Sequence, residues 1–207
     1  MFIVFEGVEG SGKSTQIQIL AERLRQEQPE RRVYLTKEPG GTALGDAVRS
    51  LLLYNNDVDI NPLAEFFLYS ASRAQLLADE VRPRLAAGDI VLCDRYYFSS
   101  LAYQGYGRGL DVGLLTHISR EASQYTQADI VILCDLDPRV GLERVAARGQ
   151  KDRLESADIG FHQRVRRGFL DLAAQHKNWL TVDAEQDVGR ISEIIWEGYT
   201  NTFLNEN

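Results

Sequence analysis

Gly7, Gly10, Gly12, Lys13 and Ser14 fit the spacing Gly, four residues, Gly-Lys-Ser. That spacing suits the chemistry of polyphosphates. Glycines let the backbone curl so that successive N–H groups point at one anion. A helix starting directly after them adds the positive end of its dipole. The candidate nucleotide-holding set is Gly7, Val8, Glu9, Gly10, Ser11, Gly12, Lys13, Ser14 and Thr15. Lys13 can bridge the outer phosphates, and the Ser14 hydroxyl is a candidate ligand for Mg²⁺. A second acidic group, Asp94, is the other candidate metal ligand, directly or through water, and Arg95 follows it at once. An arginine there suggests a second anion facing the first, because a guanidinium grips phosphate bidentately. Arg148 and Arg153 frame a charged loop over 149–156. A cation delivered by such a lid is worth about 10³–10⁵ in the rate of phosphoryl transfer. Two anion sites and lid arginines describe transfer from ATP to an acceptor that is already phosphorylated. Such an acceptor needs no general base, and the sequence presents no evident Asp–His or Ser–His pair. Positioning and charge neutralisation would then carry the catalysis.

These groups need elements to hold them in register. An apolar run over 2–5 precedes the glycines, and Ile17, Leu20, Ala21 and Leu24 after them mark a helix face. Short strands are predicted over 32–36, 90–93, 130–134 and 179–182. Thr42 is predicted to cap a helix reaching Leu53, and Asn61-Pro62 to open a long helix. Pro83 is expected to mark its join to a second piece ending at Gly88. The Gly-rich stretch over 105–109 reads as irregular chain before a helix over 112–125. Further helices are predicted over 138–148, 158–176 and 188–203. Short continuous apolar strands alternating with helices imply an α/β fold. It would be a three-layer parallel sheet of about five strands with helices on both faces, of the phosphate-loop NTPase type with a short lid. We expect one domain over 1–207. In such sheets ligands bind beyond the strand C-terminal ends, where the phosphate loop, 38–42, Asp94-Arg95 and 135–138 all fall.

The totals narrow the function. With 44% hydrophobic and 26% charged residues the chain reads as soluble and globular, and no apolar run approaches the roughly 18 residues of a bilayer span. Met1 leads straight into the first strand with no basic leader, so a cytoplasmic location is expected. A net charge of −7 argues against a nucleic-acid binder. Between residues 144 and 167, however, seven basic side chains stand against three acidic ones, which marks either a local anion site or a solvated helix face. Cys93 and Cys134 end apolar strands and read as buried free thiols. His117, His162 and His176 are scattered and form no ligand pattern.

The residues at 5–15, Lys-Glu-Pro-Gly-Gly-Thr at 37–42, Tyr69-x-x-x-Arg73, Asp94-Arg95-Tyr96, Ser99, Tyr103-Gln104 and Asp152-Arg153-Leu154-Glu155 together resemble the bacterial thymidylate kinases nearly end to end. The resemblance implies conversion of dTMP and ATP to dTDP and ADP, with Mg²⁺, by a homodimeric cytoplasmic enzyme. It implies that Tyr69 stacks on thymine, that Arg73 bonds the base edge and that Arg95 holds the acceptor phosphate. Tyr103 would lie under the sugar, Glu9 near its 3′-hydroxyl, and Arg49 would face the acceptor phosphate. Glu38, Pro39, Ser99, Ser100 and Gln104 complete the implied acceptor set. In the bacterial subtype the lid supplies the catalytic arginine, and Val8, Glu9 and Ser11 are accordingly not basic. The residues alone leave other roles open. Tyr69 also fits core packing beside Phe66 and Phe67, Arg95 fits a salt bridge to Asp94, and Tyr103 fits an ordinary buried tyrosine. Kinases of another nucleotide or of a deoxynucleoside, and a non-catalytic nucleotide-binding module, are the competing functions.

Overall fold

Three short apolar segments, at 2–6, 90–94 and 130–135, have no polar face and have to be buried on both sides, which only the middle of a layered sheet provides. The computed structural model describes residues 1–54, 58–147, 149 and 152–203. Strands β1 (Phe2–Glu6), β2 (Val33–Lys37), β3 (Ile90–Asp94), β4 (Ile130–Asp135) and β5 (Trp179–Asp183) pair in the order β2-β3-β1-β4-β5, all parallel. Alternation along β1 divides the core: Ile3 and Phe5 pack on one face, Phe2 and Val4 on the other. The central position of β1 puts its C-terminal end between those of β3 and β4. The chain reverses its strand order there, so a crevice opens beyond the sheet.

Helices α1 (Lys13–Glu27), α2 (Ala43–Leu53) and α3 (Pro62–Leu76) start where expected. The Thr42 side chain accepts from the Gly45 N–H, and Asn61 accepts from Leu63. The join after α3 falls earlier than Pro83. A π-helical turn, Leu77–Val81, precedes α4 (Arg82–Ala86). Proline lacks an N–H and its ring crowds the carbonyl four residues back, and the wider turn just upstream accommodates both.

The stretch after β3 departs furthest from expectation. It forms α5 (Tyr97–Ser100) and a π-helical segment, Leu101–Gly107, where no helix is predicted, and the segment takes in part of the Gly-rich stretch 105–109. Its glycines serve close packing there: a side chain at Gly107 would come within 2.6 Å of the Phe161 ring. That ring belongs to α8 (Ile159–Gln175), which lies against the segment. Helix α6 (Val112–Ala122) stops three residues early, because Gln124 and Tyr125 take left-handed backbone angles. Helix α7 (Pro138–Ala146) and α9 (Val188–Phe203) complete the described helices. Arg148 and part of the polar turn before Asn61 lie outside the described residues.

Candidate active site

The ends of β1, β2 and β3 open into one cavity of about 640 Å³. Its walls include the phosphate loop from Glu9 to Thr15, with Arg49, Tyr69 and Asp94 among the facing side chains. Gly10 has φ 70°, and any side chain there would collide with the Gly141 carbonyl of α7. The loop is therefore seated on α7, and only glycine fits that approach. Lys13, the first residue of α1, folds back over the loop: its Nζ donates to Val8 O at 2.9 Å, Gly7 O at 3.1 Å and Ser11 Oγ at 3.2 Å. Burial, and then the charge of Arg95, hold this ammonium below its usual pKa. The Ser14 hydroxyl donates to Asp94 Oδ2 at 2.9 Å across the β1–β3 crevice.

Arg95 reaches the same place from the opposite strand. Its Nη1 donates to Gly7 O at 2.8 Å and to Ser99 Oγ at 3.1 Å, and its guanidinium lies 5.1 Å from the Tyr103 ring centroid. Its only carboxylate contact among the described pairs is Glu9 Oε1 at 3.4 Å, so the expected alternative of a salt bridge to Asp94 is not formed. Arg95 has φ 72°, a conformation that costs a bulky residue of order 1–3 kcal/mol. Glu6 holds that turn: Oε1 accepts from the N–H groups of Tyr96 at 2.9 Å and Ser99 at 3.2 Å, and Oε2 accepts from Ser99 Oγ at 2.6 Å. Complete burial raises the Glu6 carboxyl to about 7, against the pull of Arg95 and Ser99.

Residues expected to bind the acceptor line one wall. Arg73 is fully buried, with Nε on Glu38 Oε2 at 2.7 Å and Nη2 on Ser100 Oγ at 2.9 Å. Its Nη1 is buried with no hydrogen-bond partner among the described residues, and a buried donor of that kind calls for one. Burial raises the Glu38 carboxyl while Arg73 opposes the shift. Tyr69, one helical turn from Arg73 on α3, also lines the cavity and is only partly buried. Arg49 donates to Pro39 O at 3.0 Å, at the mouth of the loop after β2. Tyr103 and Gln104 sit on the π-helical segment, the Tyr103 hydroxyl donating to Glu9 Oε1 and Gln104 Nε2 to Glu65 Oε1 at 2.7 Å.

The lid residue Arg153 is placed differently from expectation. Its Nε donates to Leu52 O at 2.8 Å and its Nη2 to Glu65, a completely buried carboxylate on α3. Two residues of this region escaped the sequence. Glu65 stands one turn before Tyr69, so the spacing that linked Tyr69 with Arg73 extends to it. His162, 1% exposed on α8, brings Nδ1 within 3.4 Å of Glu9 Oε2. Burial pushes the Glu9 carboxyl up, but His162, Arg95 and Tyr103 more than offset that and bring it to about 2. No periodicity distinguishes His162 from its core neighbours Phe161 and Val165. Arg144 on α7 points to the phosphate loop, 3.3 Å from Gly10 O. Three further described basic residues of the segment make structural contacts: Arg166 forks onto Asp135, Arg164 donates to Gly107 O, and Arg167 pairs with Asp171.

Among the described residues no group of three or more His, Cys, Asp or Glu is arranged to hold a metal ion. The Ser14–Asp94 pair offers hard oxygen donors, too few for a closed cage. It suits an ion such as Mg²⁺, which keeps waters and takes phosphate oxygens.

A family model described as thymidylate kinase matches residues 5–195. The chain is 51% identical over 197 residues to a thymidylate kinase of Deinococcus radiodurans, covering 95% of this chain and 94% of that one. It is 47% identical over 207 residues to a thymidylate kinase of Thermosynechococcus vestitus, covering 95% and 86%. Among solved structures it is similar to a thymidylate kinase from Ehrlichia chaffeensis, with a TM-score of 0.77 at 32% identity over 95% of this chain and 97% of that one.

Proposed function

The chain belongs to the thymidylate kinase family, and from that premise we propose how its residues divide the work. It is a phosphotransferase that converts dTMP to dTDP, with ATP as the phosphate donor. One observation supports the division most strongly: Lys13 Nζ and Arg95 Nη1 donate to the same oxygen, Gly7 O. A lysine on the donor's outer phosphates and an arginine on the acceptor phosphate would thus bring the two reacting groups together. The loop 7–15 cradles the donor. Ser14 and Asp94 would hold Mg²⁺, which when bound neutralises charge on the donor phosphates.

On the acceptor side, Tyr69 stacks on the pyrimidine and Arg73 Nη1 bonds its edge, with Glu38 and Ser100 fixing the guanidinium. Gln104, Pro39 and Arg49 complete that wall. Tyr103 and Glu9 lie beside the sugar, and Ser99 steadies Arg95. Because dTMP carries its own nucleophilic phosphate, the Glu9–His162 pair has no proton to remove. The lid over 149–156 supplies further charge. Arg153 acts through the place it gives the lid, and Arg148 is the candidate for contact with the transferred group. Residues 1–207 form one kinase domain on this reading.

Two copies associate through α3, where Leu63 and Phe67, one turn apart, are 38% and 49% exposed. The enzyme works in the reducing cytoplasm. Cys93 and Cys134 are buried free thiols, and burial raises Cys134 to about 12. Among the described residues no helix is long and apolar enough to cross a membrane.

ADP release measured with dTMP, dUMP, CMP, AMP and thymidine tests the substrate assignment. We expect the highest kcat/KM with dTMP. Turnover of thymidine with none of dTMP would contradict it.

A further inference from the structure

Glu65 has no part in the scheme above, yet it is a buried carboxylate that three side chains engage. It is 0% exposed and receives Gln104 Nε2 at 2.7 Å, Arg108 Nη2 at 3.3 Å and the Arg153 guanidinium. The three donors come from different places. Gln104 belongs to the π-helical segment that walls the acceptor cavity. Arg108 follows that segment and is fixed to the fold, its backbone N–H on Tyr103 O at 2.9 Å. Arg153 belongs to the lid. Glu65 itself stands on α3 at four-residue spacing from Tyr69 and Arg73, so all three face the same way. One buried charge therefore touches both the acceptor wall and the lid.

The lid is docked through Arg153 at three points: its N–H on Leu53 O at 3.2 Å, its Nε on Leu52 O and its Nη2 on Glu65. Asp152 Oδ1 accepts from the N–H groups of Leu154 and Glu155 at 2.8 and 2.9 Å, so the turn carrying Arg153 is internally braced. The arginine side chains keep an edge to solvent, 19% for Arg153 and 27% for Arg108. A buried carboxylate with a single cationic partner could not release it without leaving an unpaired charge in the interior. Glu65 has two, and Arg108 remains when Arg153 departs. The arrangement permits the lid to undock.

We propose that Glu65 is a positioning residue that couples the lid to the acceptor pocket through Arg153 and Gln104, so that seating the pyrimidine nucleotide and docking the lid are one equilibrium. This rests on the reading that the cavity beside Tyr69 and Arg73 binds the acceptor. A nucleotide against Gln104 and Tyr69 steadies the wall to which Glu65 is bonded, and Glu65 then holds Arg153. By reciprocity, a docked lid raises the affinity for the acceptor.

The test is steady-state kinetics with both substrates varied, on the full chain, for wild type, Glu65→Gln, Arg153→Met and the double variant. Glutamine keeps the shape and an acceptor for Gln104 but not the charge. We expect each single variant to raise KM for dTMP about tenfold and lower kcat several-fold, with KM for ATP changed less than threefold. The double variant should be no worse than the poorer single one. Equal rises in both KM values at unchanged kcat, or multiplicative losses in the double variant, would overturn the proposal. Hydrogen exchange on wild type alone supplies a readout that does not depend on a variant folding. dTMP should slow exchange over 152–157, and no change on saturation with dTMP would overturn the coupling. Wild-type turnover of dTMP in the same assay reports separately on the acceptor assignment.

Discussion

Arg95 holds a backbone conformation its side chain disfavours, and Glu6 is what keeps it there. The sequence displays Arg95 beside Asp94, but nothing in it marks Glu6, which reads as the polar end of an apolar strand. Its role depends on β3 lying beside β1, a contact between residues about ninety apart. The cost of burying this acid has a measurable consequence. Its carboxyl sits near 7 in the folded protein and near the ordinary 4.5 in the unfolded chain. Between those values the folded state binds more protons, so the contribution of Glu6 to stability is greatest below pH 4.5 and is lost as pH rises through 7. Glutamine does not titrate. Denaturant unfolding of Glu6→Gln and wild type should show the difference shifting in the variant's favour by roughly 2–3 kcal/mol between pH 5 and pH 8. A difference that stays constant with pH would contradict a raised Glu6.

Helices α1, α2, α3 and α9 were legible because their signals are local: a phosphate-loop glycine set, Thr42 and Asn61 as caps, and apolar spacing. The segment 97–107 was not, and at its end Gly105 and Gly107 carry two meanings. Beside polar residues they punctuate loops. Here they let α8 approach a helix, a fact only the packing partner reveals. The lid shows the same limit. Its arginines were evident from sequence, but that Arg153 is spent on Glu65 follows from α3 lying beneath it. On the proposed division of roles, Arg148 is the lid arginine left for the transferred phosphoryl group. In single-turnover measurements Arg148→Ala should lower the rate at least 10²-fold while the KM values move little. An unchanged rate would remove the lid from the chemistry.

At the scale of the whole molecule, the sheet order does most of the positioning. Placing β1 between β3 and β4 brings four loops, far apart in the chain, to one edge. That much was readable, since strand-helix alternation implies a parallel sheet and parallel sheets bind ligands at their C-terminal ends. The outward face of α3 was less so. Spacing placed Phe66 and Phe67 together, and the fold buries the first and leaves the second 49% exposed. If that face joins two copies, Phe67→Glu should halve the mass seen by sedimentation equilibrium. A dimer of undiminished stability would put the interface elsewhere. On the proposed function, two neighbouring cations, Lys13 and Arg95, present donor and acceptor phosphates to each other in one cavity. Inhibition by an adenosine–thymidine compound linked through five phosphates tests it most directly. We expect competition against both ATP and dTMP. Competition against one with non-competitive inhibition against the other would contradict it.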